Sequence, residues 1–256
     1  MASHSEAGMA LRGDRGRHGR LNRGRMLASA LELVDSEGLS ALSMRRLGSE
    51  LGVEAMTLYR YAASKDALLD GLVEAVYLEL EENLAEGSDS EKSPAAGREW
   101  RGELHRIALT TYRVCLTHPQ VVPLLATRMM AVPLARRPLA VLRDHERVLA
   151  LLRQAGFDEA GATTAFRAFT AWVLGYVSVE LRAMVDNPDE PDPAFRLGLH
   201  RMPSQELPRL RETTATLAER GGAEGLTAGL DALLDRFVGT EGQGIHQLLD
   251  SPGEDA

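Results

Sequence analysis

This chain of 256 residues predicts an all-α fold: an N-terminal three-helix head containing a helix-turn-helix, followed by a longer α-helical body. Three observations carry that prediction. Apolar residues recur at helical spacing from Leu27 to Phe237, and no stretch of useful length alternates as a strand would. The chain is 44% apolar but holds only two Trp and five Phe, a composition that suits helices built on Ala and Leu. Residues Ser43 to Tyr61, SMRRLGSELGVEAMTLYRY, read as two short helices joined by a tight glycine turn.

The first helix carries Leu27, Ala30, Leu31 and Val34 at i, i+3, i+4 and i+7, and Gly38 ends it. Ser43 is placed to N-cap the second, its side chain accepting a bond from an unpaired backbone N–H. Leu47, Leu51, Val53 and Leu58 are apolar where two crossed helices would touch. Gly48 is small where the second of the pair must approach, and Gly52 sits at the corner, where a left-handed backbone is cheap only for glycine. Glu54, Thr57, Tyr59 and Arg60 are left to face outward. This is the pattern that sends a second helix into the DNA major groove, although an ordinary helical hairpin shares its corner.

Ser64 starts a longer fourth helix with Leu69, Leu72, Val73, Val76 and Leu80 on one face. Residues 83–99 are rich in Gly, Ser and charge and read as a loop. Periodicity resumes near Trp100, with Leu104, Ile107, Ala108 and Cys115 on one stripe, and breaks at His118-Pro119. A short apolar helix (121–130), a proline turn through Pro133, a helix at 139–154 closed by Gly156 and a long apolar helix at 158–186 follow. Residues 187–210 contain five prolines and read as a long loop. A last helix spans 224–238. The expected divisions are a disordered basic arm at 1–21, the head at 22–67, the body at 68–240 and a flexible tail at 241–256.

Charge supports a DNA-facing end. The net charge is −8, yet residues 1–66 hold ten Lys and Arg against eight acids, and the rest hold 19 against 29. Between Arg12 and Arg25 six arginines face one acid, Asp14. A basic arm of this kind either lies along phosphates or is simply a solvated tail. One cysteine excludes an internal disulfide and a thiolate-rich metal site. No signal peptide and no apolar span of membrane length is visible, so a cytoplasmic location is expected. No nucleophile elbow, HExxH, phosphate loop or dinucleotide fingerprint is present, which argues against an enzyme.

The block from Arg25 to Leu80, in particular ALELVDSEGLSALSMRRLGSELGV and TLYRYAASKDALLDGLV, resembles the N-terminal domain of the TetR family of bacterial repressors. Tyr59, the small-residue link to Lys65 and a Leu-rich fourth helix are its specific part. The likeness is greatest to the tetracycline-repressor branch and continues weakly through Gln154–Phe157 and Leu174-Gly175. The resemblance implies that Arg45 and Thr57 touch DNA, an arginine being able to bond guanine O6 and N7 bidentately. Ala55 and Met56 offer apolar contact to bases. Ser43, Tyr59, Tyr61 and Lys65 match positions that hold phosphates, and the target of Arg60 stays open.

The resemblance further implies a homodimer paired through its eighth and tenth helices, with Gly225 and Gly229 allowing close approach. A palindromic double-stranded DNA operator and a small-molecule inducer in the body complete the expectation. Tyr112, Met129, Met130, His145, Phe166, Phe169, Trp172 and Tyr176 are the candidate ligand-lining residues, their alternative role being core packing. They suggest an apolar or aromatic inducer. The family's histidine and glutamate ligands for metal-chelated tetracycline align with Val132 and Val179, and a further histidine with Glu81. No metal and no cofactor is therefore expected. A ligand-independent regulator or activator is the alternative.

Overall fold

The computed structural model describes residues 21–86, 99–186, 203, 206–213, 216 and 221–240. Ten α-helices run through them: α1 (Arg23–Glu37), α2 (Met44–Leu51), α3 (Ala55–Leu58), α4 (Lys65–Glu86), α5 (Glu99–Thr117), α6 (Val122–Ala131), α7 (Leu139–Gln154), α8 (Glu159–Asp186), α9 (Pro208–Glu212) and α10 (Gly222–Thr240). Three single 3₁₀ turns lie at Leu39–Ala41, Pro119–Val121 and Leu134–Arg136. The expected basic arm and tail fall outside the described residues, apart from Leu21 at the arm's end.

The helix ends follow their local chemistry. Asn22 caps α1, its side chain accepting from the Arg25 N–H at 2.8 Å, and Gly38 stops it at φ 83°. Ser43 caps α2 by accepting from the Arg46 N–H at 3.1 Å, and Ser64 accepts from Ala67 at the start of α4. Each cap satisfies a donor that a helix start leaves unpaired.

The head is α1, α2 and α3 packed on the first half of α4. Leu42, Leu47, Leu58, Leu68 and Leu72 are fully buried there, each worth about 1.5–3 kcal/mol of apolar transfer. The body packs α5, α6 and α7 on α4, α8 on α5, α6 and α7, and α10 on α5 and α8. Helix α4 therefore belongs to both parts, touching α1 on one side and α5, α6 and α7 on the other.

Three sequence expectations need correction. The inner face of α4 is Leu68, Leu72, Val73, Val76, Tyr77, Leu80 and Leu84, and Leu69 is only partly buried. Residues 83–86, read as loop, continue α4 because Leu84 is an apolar anchor two turns beyond Val76–Tyr77. Within the proline-rich 187–210, Pro208 begins the short helix α9, a position where its missing N–H costs nothing.

Candidate functional site

The α2–α3 corner is set by two glycines. Gly52 adopts the left-handed conformation, φ 66° and ψ 32°, and the Val53 N–H then donates back to the Gly48 carbonyl at 2.9 Å. At Gly48 a Cβ would lie 2.8 Å from the Val53 carbonyl oxygen, so only glycine lets α3 start where it does. Leu58 is buried on the inner side of α3, which turns the neighbouring positions outward. Met56 is 72% exposed and Tyr59 44%. Arg60 and Lys65 are exposed, and Ala55 and Thr57 half-buried.

The adjacent arginines of α2 have different fates. Arg46 lies across the end of α1, its guanidinium bonded to Glu37 and, at 2.9 Å, to Glu50. Its pairing holds the Glu37 carboxyl below the usual range. Arg45, one position earlier, is exposed and has no carboxylate partner among the described residues, and the same is true of Arg60 and Lys65. Three cations without a carboxylate partner among the described residues thus stand on α2, just after α3 and at the start of α4, and α3 exposes Met56. A surface of this kind offers charge to phosphates and one planar fork to a base edge.

Ser43 and Tyr61 already have internal partners. Ser43 Oγ is the α2 cap, which leaves its hydroxyl proton available. The Tyr61 hydroxyl donates to the Leu21 carbonyl at 2.7 Å, tying the segment before α1 to the end of α3. Tyr61 is half-buried against the core, so here it is a packing residue whose proton is already committed.

In the body the candidate ligand residues divide. Tyr112 and Phe169 are buried, and Phe166 packs edge-on against the His145 ring at 5.0 Å between centroids. Trp172 and Tyr176 point at α10: the indole N–H donates to the Leu226 carbonyl at 3.0 Å, and the Tyr176 hydroxyl to the Gly222 carbonyl at 2.7 Å. A Cβ at Gly225 or Gly229 would collide with these rings. The α10 glycines expected to serve contact between copies therefore admit side chains of the same chain. The side chains of Met129 and Met130 lie outside the described residues.

Polar groups are also buried in this region. His145 is 5% exposed and neither ring nitrogen has a hydrogen-bond partner in the structure. Burial, aided by Arg137, pushes its pKa down to about 4, so the ring is neutral at pH 7. Burial raises neighbouring Asp144 to about 6. Cys115 is buried and its thiol is pushed up to about 12, as expected of an inert core residue. A narrow, partly open cleft lined by Asp70, Val73, Arg128, Val132, Arg137, Pro138 and Val141 has a volume of about 10 Å³, room for about one water. Val132 thus lines a cleft, whereas Val179 is 78% exposed.

A capped three-helix head with a glycine-cornered recognition helix, fused through one long helix to an all-helical body, defines a helix-turn-helix regulator rather than an enzyme. Residues 26–72 match the family described as bacterial regulatory proteins, tetR family, and residues 93–236 match the tetracyclin repressor-like C-terminal domain. The chain belongs to the TetR family. It is 33% identical over 161 residues to an HTH-type transcriptional regulator of Saccharopolyspora erythraea; the match covers 62% of this chain and 61% of that protein. It is 29% identical over 222 residues to the class D tetracycline repressor protein of Escherichia coli, across 85% of this chain and 89% of the repressor. A possible TetR family regulator from Streptomyces coelicolor A3(2) superposes with a TM-score of 0.70 at 24% identity, covering 86% of this chain and all of that one. No helix among the described residues is long and apolar enough to cross a membrane.

Proposed function

We propose that this chain is a homodimeric transcriptional repressor that reads a palindromic operator and leaves it when a small molecule binds in the body. The observation that carries the DNA half is that Arg45, Arg60 and Lys65 are exposed with no carboxylate partner among the described residues, on the helix pair that exposes Met56 and just beyond it, while Arg46 is fully paired. Arg45 reads a base, Met56 and Thr57 offer apolar contact, and Tyr59, Arg60, Lys65 and Ser43 fix the register on phosphates. The named E. coli relative is a repressor, which supports the sign of regulation.

Dimerisation rests on α8. Ala171, Gly175 and Val179 form an uncovered stripe, and Val238 is exposed on α10. A second copy laid on that face would bury it as a four-helix bundle. Two heads would then read half-sites roughly 34–36 Å apart or slightly more. The ligand enters the body between α4, α7 and α8, near His145, Phe166 and Phe169. Sites for small ligands have volumes of about 300–1,000 Å³. The Val132–Val141 cleft, between α4, α6 and α7, is far below that and does not reach His145, Phe166 or Phe169, so the body helices around those rings must part to admit one.

Selection of bound sequences from random duplex DNA at two salt concentrations tests the reading. A palindromic consensus whose affinity falls steeply with salt supports it. No enrichment by a folded dimer would overturn it.

A further inference from the structure

Where head meets body, one histidine stands between two carboxylates. His118 is the single residue between α5 and the Pro119–Val121 turn, and its side chain is 11% exposed. Its Nδ1 lies 2.6 Å from Asp35 Oδ2 on α1, and its Nε2 lies 2.7 Å from Glu79 Oε2 on α4. Only the imidazolium carries a proton on both nitrogens; a neutral ring would leave one nitrogen lone pair facing a carboxylate oxygen. The second Asp35 oxygen is buried without a hydrogen-bond partner in the structure, so the pair has little alternative to the ring.

We propose that His118 is a positioning residue that couples the DNA-reading head to the ligand-binding body, its imidazolium riveting α1 and α4 to the α5–α6 corner. The coupling rests on the proposed function; the rivet itself does not. The turn at Pro119–Val121 packs directly on α1, on α6 and on α8. A shift of α6 or α8 on opening the body therefore pulls the corner, and through Asp35 it pulls α1. This route is separate from the continuous helix α4, and it gives the head two points of attachment whose relative movement can rotate it.

The groups around the ring set its pH response. Asp35 faces it from α1, with Glu32 acting on Asp35 in turn, Glu79 faces it from α4, and the Cys115 thiol of α5 lies beside Glu79. Burial pushes the ring toward neutrality, but its bonds to Asp35 and Glu79, with their charges, outweigh burial and leave its pKa above 6.5. Burial raises Asp35 as well. A histidine raised in the folded state contributes its full stability below the unfolded value near 6.5 and loses it as pH climbs through the folded value. Asp35 titrates from a far lower value and is ionised on the alkaline side, so there the rivet loosens through the ring's own deprotonation.

The test uses the full-length protein and two readouts that need no DNA. The His118 ring signal is titrated by NMR in wild type, Asp35→Asn and Glu79→Gln. The wild-type midpoint should lie above 6.5, and each neutralised partner should lower it by about one unit, tenfold in proton affinity. Amide exchange in α1, corrected for intrinsic rates, should then quicken about tenfold from pH 6 to 8.5 in wild type and stay flat in His118→Gln. By reciprocity, affinity for a selected duplex should show the same difference in pH dependence between wild type and His118→Gln. A midpoint at or below 6.5, or a His118→Gln protein that keeps the wild-type pH profile, overturns the rivet. A protein with an intact rivet that enriches no duplex would instead overturn the repressor reading and, with it, the coupling.

Discussion

The α2–α3 corner makes the sharpest prediction, because its two glycines are needed for different physical reasons. In Gly48→Ala the added methyl carbon lies 2.8 Å from the Val53 carbonyl oxygen and 3.3 Å from the Ala55 nitrogen. Both are backbone atoms, so α3 itself must move. Overpacking of this kind costs about 1–3 kcal/mol. Alanine recovers up to about 1 kcal/mol of helix propensity inside α2. The expected net loss is about 1–2 kcal/mol. In Gly52→Ala nothing lies within 4 Å of the new methyl, but the residue stays at φ +66°. That strain costs about 1–2 kcal/mol and leaves α3 in place. Stability alone does not separate the two variants; DNA affinity does. Gly48→Ala should weaken binding to a selected duplex about tenfold beyond its effect on the folded fraction, the cost of one lost base contact. Gly52→Ala should bind as wild type once folded. Urea unfolding by circular dichroism and fluorescence anisotropy at fixed salt measure both quantities. A Gly48→Ala protein with wild-type stability and affinity would refute the geometry of the corner.

Other outcomes follow from single sites. Arg45→Ala should cost about 1–3 kcal/mol in operator affinity and relax the preference at one base, whereas Arg46→Ala should mainly loosen the α1–α2 packing, most visibly at low salt; competition anisotropy and urea melts distinguish them. Gly229→Ala should drive Trp172 off α10, lowering stability by about 1–3 kcal/mol and shifting the tryptophan emission, which Trp100→Phe would isolate. His145, held near 4 in the fold against 6.5 in the unfolded chain, costs stability as pH falls from 6.5 toward 4. Asp144, raised to about 6 from 3.8, does the opposite over nearly the same window. His145→Phe should therefore become more stable as pH drops from 6 to 4, on the order of 2 kcal/mol, and Asp144→Asn should become less stable over the same drop, because only the His145 penalty remains. Parallel wild-type and variant curves would show that neither group titrates as argued.

The head was legible because its signals are local. A cap, a left-handed corner and an apolar stripe each depend on residues within one or two turns, and Ser43, Gly48, Gly52 and Ser64 take the parts their neighbours imply. Arg45 and Arg46 mark the limit. Periodicity places Arg45 outward, but the neutralisation of Arg46 depends on Glu37, nine positions back and on another helix. Tyr61 marks it again, since its partner is a backbone carbonyl 40 residues away.

In the body the aromatic stripe Phe166, Phe169, Trp172 and Tyr176 announced burial without saying against what. Successive members of one face meet different neighbours: Phe166 meets His145 on α7, and Trp172 and Tyr176 meet glycines on α10. Helical spacing fixes which residues share a face, but which element covers the face is a property of topology. The same reason hid the polar interior. His145 sits in the apolar stripe Val141, His145, Val148, Leu152, a pattern that predicts a buried ring with a bonded nitrogen, since an unpaired buried polar group costs about 1–3 kcal/mol. The structure buries the ring and supplies no such bond. His118 inverts the case: it reads as the end of a helix beside a proline, yet it is the ring that two carboxylates from distant helices converge on. Both histidines carry their meaning in what faces them across the fold, which the spacing within their own segments does not contain.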